Sequence, residues 1–414
     1  MNILKEAQNV FDYMVKHRRH IHTYPELTGL EDQTVAYLLS ELKELDIPTI
    51  DVPNGGIIGF IKGHHPGKRV VLRADIDALP IQEPEVNLKG PRACRSKNDG
   101  VMHACGHDAH TAMLLGSAKI LNQHKDKIHG EVMLVFERGE EGGGNLQYIM
   151  QYLEDNEISF DGAWALHVYQ DMPTGMLGIR PGGVMAGTIP LRFKITGQGG
   201  HGSRPDLSNS PTDCMLAILD EIYKAPMKHT NPFEPLSFSI TKIQAGNTHN
   251  VIPDVAEFAG SVRFFHEERT AKPFIAYMEK AVKAIAELYN CQVEYTMRAG
   301  RPTINDPVAT QIAWDAATKA VGSDFVVAGE PAMGSESFPA FAYRAPSCYA
   351  KLGITNPDVG SGAEIHNQYF DIDEKAMING AAATVSFALD FLKYEKDIPF
   401  EAYAGTVKEY YSGK

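Results

Sequence analysis

The stretch that decides the fold is Val70-Val71-Leu72-Arg73-Ala74-Asp75-Ile76-Asp77. Its short apolar run, bounded by polar residues, is typical of a buried strand. Residues 57–61, 132–136 and 163–168 form further runs of this kind, and segments with helical spacing of apolar residues lie among them. Strands that alternate with helices predict an α/β fold with a mixed, largely parallel sheet that is covered on both faces.

Three of these predicted strands lead into residues that can carry chemistry. Residues 70–72 are followed by Asp75 and Asp77, residues 132–136 are followed by Glu140 and Glu141, and the third run ends near His167. In open α/β sheets, ligands bind outside the carboxyl ends of the strands. We therefore expect these acidic and imidazole side chains to form a functional site at that edge of the sheet.

The pattern changes between residues 188 and 299. Here the predicted order is strand, helix, strand, strand, helix, strand, which is the order of a ferredoxin-like unit. Sequence rich in Gly and Pro flanks this segment at residues 180–183 and 300–302. We therefore predict a catalytic domain in two parts, residues 1–187 and 300–414, interrupted by an inserted domain of residues 188–299.

The composition argues against several classes of protein. A chain of 414 residues is long enough for two domains. Its formal net charge of −13 disfavours binding to nucleic acids and to anionic lipid surfaces. There is no run of 18 apolar residues and no signal-peptide pattern, and the 5 cysteines are an odd number that suits free thiols in a reducing compartment. We expect a cytoplasmic protein without a membrane or nucleic-acid partner.

The densest chemical signal is Met102-His103-Ala104-Cys105-Gly106-His107-Asp108-Ala109-His110. Gly106 permits a tight turn, so Cys105 and His107 can face one point. A soft thiolate beside an imidazole suits a transition metal such as Zn or Mn. The alternative is a packed, inert cluster at the start of a helix.

Adjacent carboxylates, Glu140 and Glu141, form the second signal. One of them can bind a metal while its neighbour accepts and returns a proton near neutral pH. His167 and His366 could complete a ligand set, although each alone could equally be a structural histidine. Five ligands are too many for one tetrahedral ion with an open position, and two metals about 3.5 to 4 Å apart would use them all.

Seven motifs, in order along the chain, resemble the M20 metallopeptidase family. They are Arg19-x-x-His22-x-x-Pro25-Glu26-Leu27, residues 73–80, the run from His103 to His110, residues 140–143, residues 199–203, residues 250–254 and Gly334-Ser335-Glu336. The resemblance is to the amidohydrolase branch, which includes N-acyl-amino-acid, hippurate and auxin-conjugate hydrolases. It implies a two-metal catalytic domain with an inserted lid that usually also mediates dimerisation, and so a homodimer or larger homo-oligomer.

The resemblance also implies a role for each matching residue. It assigns five metal ligands: Cys105, His107, Glu141, His167 and His366. Cys105 is the implied bridge between two divalent ions, with Zn or Mn favoured and Co or Ni as alternatives. Glu140 matches the catalytic base, Asp77 the carboxylate that orients a ligand imidazole, and His201 the lid histidine that stabilises the oxyanion. Asn250 and Arg263 match lid positions that bind the substrate.

Two departures from the family pattern stand close to the predicted site. Glu137-Arg138-Gly139 replaces Gln-Pro-Ala before the paired glutamates, and Ser337 replaces an Asp after Glu336. Arg138 in place of Pro frees a backbone N–H and adds a charge, which leaves the loop geometry and the choice of substrate open. Ser337 removes one carboxylate but leaves every implied metal ligand in place.

The leading hypothesis is hydrolysis of the amide bond of N-acyl amino acids through an activated water, with Glu140 as general base. A dipeptidase of the same family is the first alternative, because a dipeptide also presents an amide close to a carboxylate. Two further alternatives are an enzyme that uses Cys105 as nucleophile and a binding module without catalysis. The Cys105 nucleophile predicts activity that is insensitive to chelators. The binding module predicts a sequence in which Glu140 or one of the ligands has been replaced, and here all of them are present.

Overall fold

The computed structural model describes residues 1–142 and 144–412. Its strands are β1 (Thr49–Val52), β2 (Gly56–Lys62), β3 (His65–Asp75), β4 (His129–Glu137), β5 (Gly162–Pro173), β6 (Leu177–Gly178), β7 (Gly182–Met185), β8 (Gly187–Thr196), β9 (Gly200–His201), β10 (Leu236–Ala245), β11 (Val251–Ile252), β12 (Val255–Phe264), β13 (Gln292–Met297), β14 (Thr303–Asn305), β15 (Val326–Val327) and β16 (Ser347–Thr355). Its α-helices are α1 (Ile3–Asn9), α2 (Phe11–Thr23), α3 (Asp32–Glu44), α4 (His107–Gln123), α5 (Leu146–Asp155), α6 (Pro211–His229), α7 (Lys272–Leu288), α8 (Pro307–Val321), α9 (Pro339–Ala342), α10 (Ala376–Leu392) and α11 (Val407–Ser412).

An eight-stranded sheet forms the centre of the molecule, in the order β1-β2-β4-β3-β5-β16-β6-β15. Its middle strands, β4, β3, β5 and β16, are parallel to one another. Antiparallel pairs occur between β1 and β2, between β2 and β4, and between β16 and β6. The predicted mixed, largely parallel α/β sheet is therefore confirmed.

Both faces of the central sheet are covered, because successive side chains of a strand point to opposite faces. In β5, Trp164 and Leu166 lie in an apolar core with residues of α4 and α10. Ala163 and Ala165 lie in a second core on the other face, with residues of α5 and α9. This burial on both faces explains why β5 reads as a continuous apolar run.

A second, four-stranded sheet is antiparallel throughout, in the order β10-β12-β8-β13. Along the chain its elements follow the order β8, α6, β10, β12, α7, β13. An apolar core of its own, drawn from residues 189–297, packs α6 and α7 against this sheet. Among the described helices, none combines the length and the apolar character that crossing a bilayer requires.

Candidate functional site

The carboxyl ends of β3 and β4 lie side by side, next to the middle of β5, which continues to Pro173. β3 ends at Asp75, and β4 pairs with it in parallel up to Glu137. β5 lies on the other side of β3 and carries His167. Because the three strands are parallel neighbours in this register, the residues that follow β3 and β4 lie close to His167, which is within β5 and not at its end as the sequence predicted.

Gly106 shapes the loop that delivers Cys105 and His107 to this edge. Its φ of 84° lies in the left-handed region, where residues with a Cβ are disfavoured. A Cβ at this position would stand 2.3 Å from Cγ2 of Val168 in β5. Glycine therefore permits both the turn and the close packing of this loop against β5.

Cys105, His107 and His167 form a buried group that could hold a metal ion, with one ligand atom from each lying within 4.8 Å of the others. Sγ of Cys105 is 3.5 Å from Nε2 of His167. Burial raises the pKa of the Cys105 thiol and lowers the pKa of His167. A divalent cation would favour the thiolate and the neutral imidazole that such ligation requires.

A second such group consists of Cys105, Glu141 and His366. Nε2 of His366 lies 3.0 Å from Oε1 of Glu141. The backbone of His366 has a φ of 63°, and its N–H donates to the carbonyl oxygen of Ala104 at 2.8 Å. The structure thus brings together all five predicted ligands, and Cys105 is common to both groups.

Asp77 fixes the orientation of His107. Nδ1 of His107 donates to Oδ1 of Asp77 at 3.0 Å. The other carboxylate oxygen, Oδ2, accepts from the hydroxyl of Thr28 at 2.7 Å and from the N–H of Glu141 at 3.0 Å. Nε2 of His107 is buried and has no hydrogen-bond partner among the described residues. The nearby Oδ2 of Asp75 lies 3.7 Å away. An imidazole held at Nδ1, with a buried Nε2 that makes no hydrogen bond, is suited to metal binding.

His110, whose role the sequence leaves open, uses both of its ring nitrogens within the protein. Nδ1 donates to Oδ1 of Asp75 at 2.6 Å, and Nε2 accepts from the N–H of Val168 at 2.9 Å. Because an imidazole nitrogen that accepts cannot carry a proton, these bonds fix its tautomer. His110 therefore ties β3 to β5 beside the candidate ligands and is not itself free to bind a metal.

Glu140 lies beside these ligands, in a group with His107 and Glu141. One of its oxygens accepts from the N–H of Ser337 at 3.3 Å. Burial raises the pKa of Glu140 well above its ordinary value, and the charge of Glu336 adds to this shift while the cation of Arg73 opposes it. These surroundings favour a carboxyl group that can take up a proton.

Arg73 contacts residues of both departures from the family pattern. The sequence did not predict these contacts. The guanidinium of Arg73 donates to Glu137 at 2.7 Å, to Asp75 at 2.8 Å and to the hydroxyl of Ser337 at 2.8 Å. Oγ of Ser337 in turn donates to Glu137 at 2.9 Å. The carboxyl group of Glu137 and the hydroxyl of the half-buried Ser337 thus belong to one hydrogen-bond network.

Arg138, the other substituted position, points away from this network. It donates to Glu31 at 2.8 Å and lies 2.8 Å from a carboxylate oxygen of Asp32. The N–H of Gly139 donates to the other oxygen of Glu31 at 2.9 Å. The added charge of Arg138 is therefore paired with the start of α3, and this pairing holds the loop that precedes Glu140.

The three residues predicted for the lid lie apart from the candidate ligands. His201 is exposed on β9, and its Nδ1 accepts a hydrogen bond from the N–H of Ser203 at 3.1 Å. Asn250 lies close by, because its carbonyl oxygen accepts a hydrogen bond from the N–H of Gly202. Nη1 of Arg263 is buried and has no hydrogen-bond partner within the described part of the chain. No hydrogen bond or ion pair between described residues links these three side chains to the groups around Cys105.

Comparison with known proteins assigns the family. Residues 71–390 match the profile described as Peptidase family M20/M25/M40. The chain belongs to this family. The resemblance that the motifs indicated is thereby confirmed, and this M20 member is a hydrolase that acts on amide bonds.

Individual relatives match this protein over most of its length. It is 35% identical to Thermostable carboxypeptidase 1 of Saccharolobus solfataricus, over 93% of this chain and 97% of that protein. It is 34% identical to N-acetylcysteine deacetylase of Bacillus subtilis, over 88% of this chain and 93% of that protein. A solved Bacillus subtilis structure, described as a dinuclear metal binding peptidase from the M20 family, matches with a TM-score of 0.77 and 29% identity, over 93% of this chain and 99% of that one.

Proposed function

We propose that this protein hydrolyses the amide bond of N-acyl amino acids and that it does so with two divalent metal ions. The observation that carries the proposal is the position of Cys105, which belongs both to the group with His107 and His167 and to the group with Glu141 and His366. A shared thiolate gives two ions a common ligand. The buried Nε2 of His107, which makes no hydrogen bond to any described residue, supports the same assignment.

The donor set suits borderline transition metals. It combines one thiol, three imidazoles and one carboxylate, and such sites take Zn or Mn, with Co or Ni as alternatives. Bound there, the ions would polarise the scissile carbonyl and acidify the attacking water. Asp77 would hold the imidazole of His107 in the tautomer that leaves Nε2 free.

Glu140 is proposed as the general base and then the general acid. It lies against His107 and Glu141, and its raised pKa favours uptake of a proton from the attacking water. The same proton can then pass to the leaving nitrogen, so that the amine departs neutral. Glu140 thereby returns to its starting protonation state, as a catalytic group must at the end of each turnover.

We further propose that residues 188–299 form a ferredoxin-like lid, while residues 1–187 and 300–414 form the catalytic domain. The order of β8, α6, β10, β12, α7 and β13, together with their separate apolar core, supports this division. His201 would donate to the oxyanion, and Asn250 and Arg263 would bind the substrate. His201 makes no hydrogen bond or ion pair with the candidate ligands of its own chain among the described residues, which favours a homodimer in which the lid of one copy serves the other.

The substrate class follows from Arg263 and from the relatives. Nη1 of Arg263 is buried and unpaired in the described chain, so it suits the carboxylate of an amino acid. The deacetylase of Bacillus subtilis supports an N-acyl amino acid. The carboxypeptidase of Saccharolobus solfataricus supports a peptide as the second candidate, because peptides present the same amide and carboxylate.

The test is metal analysis of the purified protein together with side-by-side assays of N-acetyl amino acids and dipeptides. We expect two divalent ions per chain, loss of activity with a chelator and recovery with Zn or Mn. Cys105→Ser should lower the metal content, whereas the control Cys291→Ser in the proposed lid should not. Activity that survives metal removal would contradict the proposal and favour a Cys105 nucleophile instead.

All five cysteines are free thiols in the structure. Unpaired cysteines persist in reducing compartments, which supports the proposal that the protein acts in the cytoplasm. Thiol titration of the unfolded protein, purified without reductant, should therefore find five reactive groups. Fewer than five reactive thiols would indicate disulfide bonds and therefore an oxidising compartment.

A further inference from the structure

The chain enters and leaves the segment of residues 188–299 at one place. The N–H of Gly300 donates to the carbonyl oxygen of Thr188 at 2.7 Å. A Cβ on Gly187 would stand only 2.6 Å from the carbonyl oxygen of Gly300, so the two crossings are in close contact. Any change in the orientation of this segment relative to the central sheet must therefore bend these few residues together.

Arg301, the residue after Gly300, is enclosed by three tyrosines. The central carbon of its guanidinium lies 4.7 Å from the ring centre of Tyr343, 4.6 Å from that of Tyr403 and 4.8 Å from that of Tyr410. Its Nη1 also lies 3.6 Å from Oε2 of Glu267, which follows β12. Arg301 and the three tyrosines are called the hinge latch below.

Two of the latch tyrosines belong to the C-terminal segment, which is itself fastened to the central part of the molecule. The N–H of Tyr403 donates to the carbonyl oxygen of Tyr343 at 2.7 Å. Val407 is 3% exposed, and its N–H donates to Glu154 of α5 at 3.1 Å. The guanidinium of Arg298, just after β13, donates to the carbonyl oxygen of Tyr411. The C-terminal segment thus contacts both sides of the crossing.

The crossing is also connected to the residues proposed to bind substrate. In the register of β12 and β8, Arg263 pairs with Thr188, the residue that accepts from Gly300. Phe264 pairs with Gly187, and its ring would lie 2.6 Å from a Cβ on that glycine. A rotation at Gly187 and Gly300 would therefore displace Arg263 directly.

We propose that Arg301 is a positioning residue: held by Tyr343, Tyr403 and Tyr410, it fixes the orientation in which residues 188–299 present Arg263 to the substrate. This inference rests on the proposed function, because it takes those residues as the lid. A guanidinium is suited to the task, since its flat faces stack on aromatic rings while its edge pairs with Glu267. A lysine at position 301 would keep the charge but lack the flat faces, so it would hold the three tyrosine rings less firmly.

The first measurement is the distance between two genetically encoded spin labels, one at Lys280 on α7 and one at Lys43 on α3, both exposed. The variants are Arg301→Gln, Arg301→Lys and Tyr403→Leu. The matched control is Tyr24→Leu, because Tyr24 also lies under a cation, Lys97, but far from the crossing along the chain. We expect the distance distribution to broaden in the three latch variants and to stay unchanged in the control.

The second measurement is steady-state kinetics on an N-acetyl amino acid with the metal-loaded protein. We expect Arg301→Gln to raise KM by about three- to tenfold, because a less firmly held Arg263 binds the substrate more weakly, with the metal content unchanged. Arg301→Lys should lie between Arg301→Gln and the unchanged protein. A loss confined to kcat, or one explained by lost metal, would contradict a role through Arg263.

The two measurements separate the latch from the proposed function. If the unchanged protein hydrolyses neither substrate class, the proposed function fails, and the distance distributions still test the latch. If the protein is active and the distributions of Arg301→Gln and Tyr403→Leu match that of the control, the latch is overturned and the function stands. Should Arg301→Gln fail to fold, Tyr403→Leu decides, because it leaves the Arg301–Glu267 pair intact.

Discussion

Asp77 accepts a hydrogen bond from Nδ1 of His107 at 3.0 Å, and this bond turns the other ring nitrogen toward the remaining candidate ligands. The same carboxylate accepts from the N–H of Glu141. One side chain at the end of β3 therefore positions candidate ligands from two different loops. The proposed role of Asp77, to orient these candidate ligands, can be tested without any assay of activity.

Asp77→Asn should weaken metal binding by about ten- to a hundredfold, because the amide carries no charge to support the imidazole and can present its NH₂ to Nδ1. The measurement is calorimetric titration of the metal-free protein with Zn. Asp51→Asn, an exposed carboxylate on β1, is the control and should bind as the unchanged protein does. Equal affinities for the two variants would remove Asp77 from the proposed metal site.

Glu140→Gln should lower kcat by about a hundredfold to ten-thousandfold, because the amide cannot take the proton from the attacking water. Metal content, measured by mass spectrometry of the elements, should stay as in the unchanged protein. Glu44→Gln on the exposed face of α3 controls for the loss of one negative charge. Near-normal turnover by Glu140→Gln would show that another group is the base.

Glu137 and Ser337 should be energetically coupled, because both bind the guanidinium of Arg73. Glu137→Gln removes one of the three carboxylates that pair with that cation, leaving Asp75 and Glu336, and Ser337→Asp adds a carboxylate beside Glu137 and Glu336. Each single change should cost about 1 to 3 kcal/mol of the free energy of unfolding, as expected when a buried charge or hydrogen bond is disturbed. The double variant restores the count of charges and should recover about 1 kcal/mol or more.

Urea denaturation of the four proteins gives this coupling directly. The control cycle combines Glu44→Gln with Ser323→Asp, two exposed positions that share no partner. In this control cycle the changes in the free energy of unfolding caused by the two single substitutions should sum to the change in the double variant. Additive effects at Glu137 and Ser337 as well would mean that the two departures from the family pattern arose independently.

His17 should make the protein sensitive to acid. Burial lowers the pKa of His17 to about 4, whereas an unfolded chain titrates near its ordinary value of 6.5. Between these values the unfolded chain binds a proton that the folded protein does not, so the free energy of unfolding falls as pH falls from about 6.5 to about 4. His17→Gln should lose about 1 to 3 kcal/mol of this pH dependence.

The check is urea denaturation at several pH values between 4 and 7. His64→Gln, at an exposed position, should keep the pH dependence of the unchanged protein. Parallel curves for the unchanged protein and His17→Gln would show that His17 does not carry the effect.

The strands and the candidate ligands could be predicted because their signals are local. Residues 70–72 predict β3, and the carboxylates that follow mark its functional end without knowledge of the rest of the chain. The turn permitted by Gly106 predicts that Cys105 and His107 face one point, and the apolar run before His167 places that imidazole at the same side of the sheet. The role of Asp77, two residues beyond β3, was instead implied by the resemblance to the M20 family.

Arg73 and Arg301 could not be interpreted in this way. Arg73 pairs with Ser337, 264 positions along the chain, and nothing in the sequence near Arg73 predicts that contact. Arg301 looks like part of a loop rich in Gly and Pro until Tyr343, Tyr403 and Tyr410 surround it. Hydrophobic periodicity predicts which segments pack, but it does not predict which polar side chains will meet between distant segments.

The turn at Gly106 has a consequence for how the proposed site would acquire a metal. Because that turn packs against Val168 without room for a Cβ, packing of the backbone contributes to holding Cys105 and His107 beside His167. Little backbone entropy then remains to be lost when an ion arrives. The ligand loop should exchange its amide hydrogens slowly even without metal, so uptake should be limited by dehydration of the ion and not by folding of the loop.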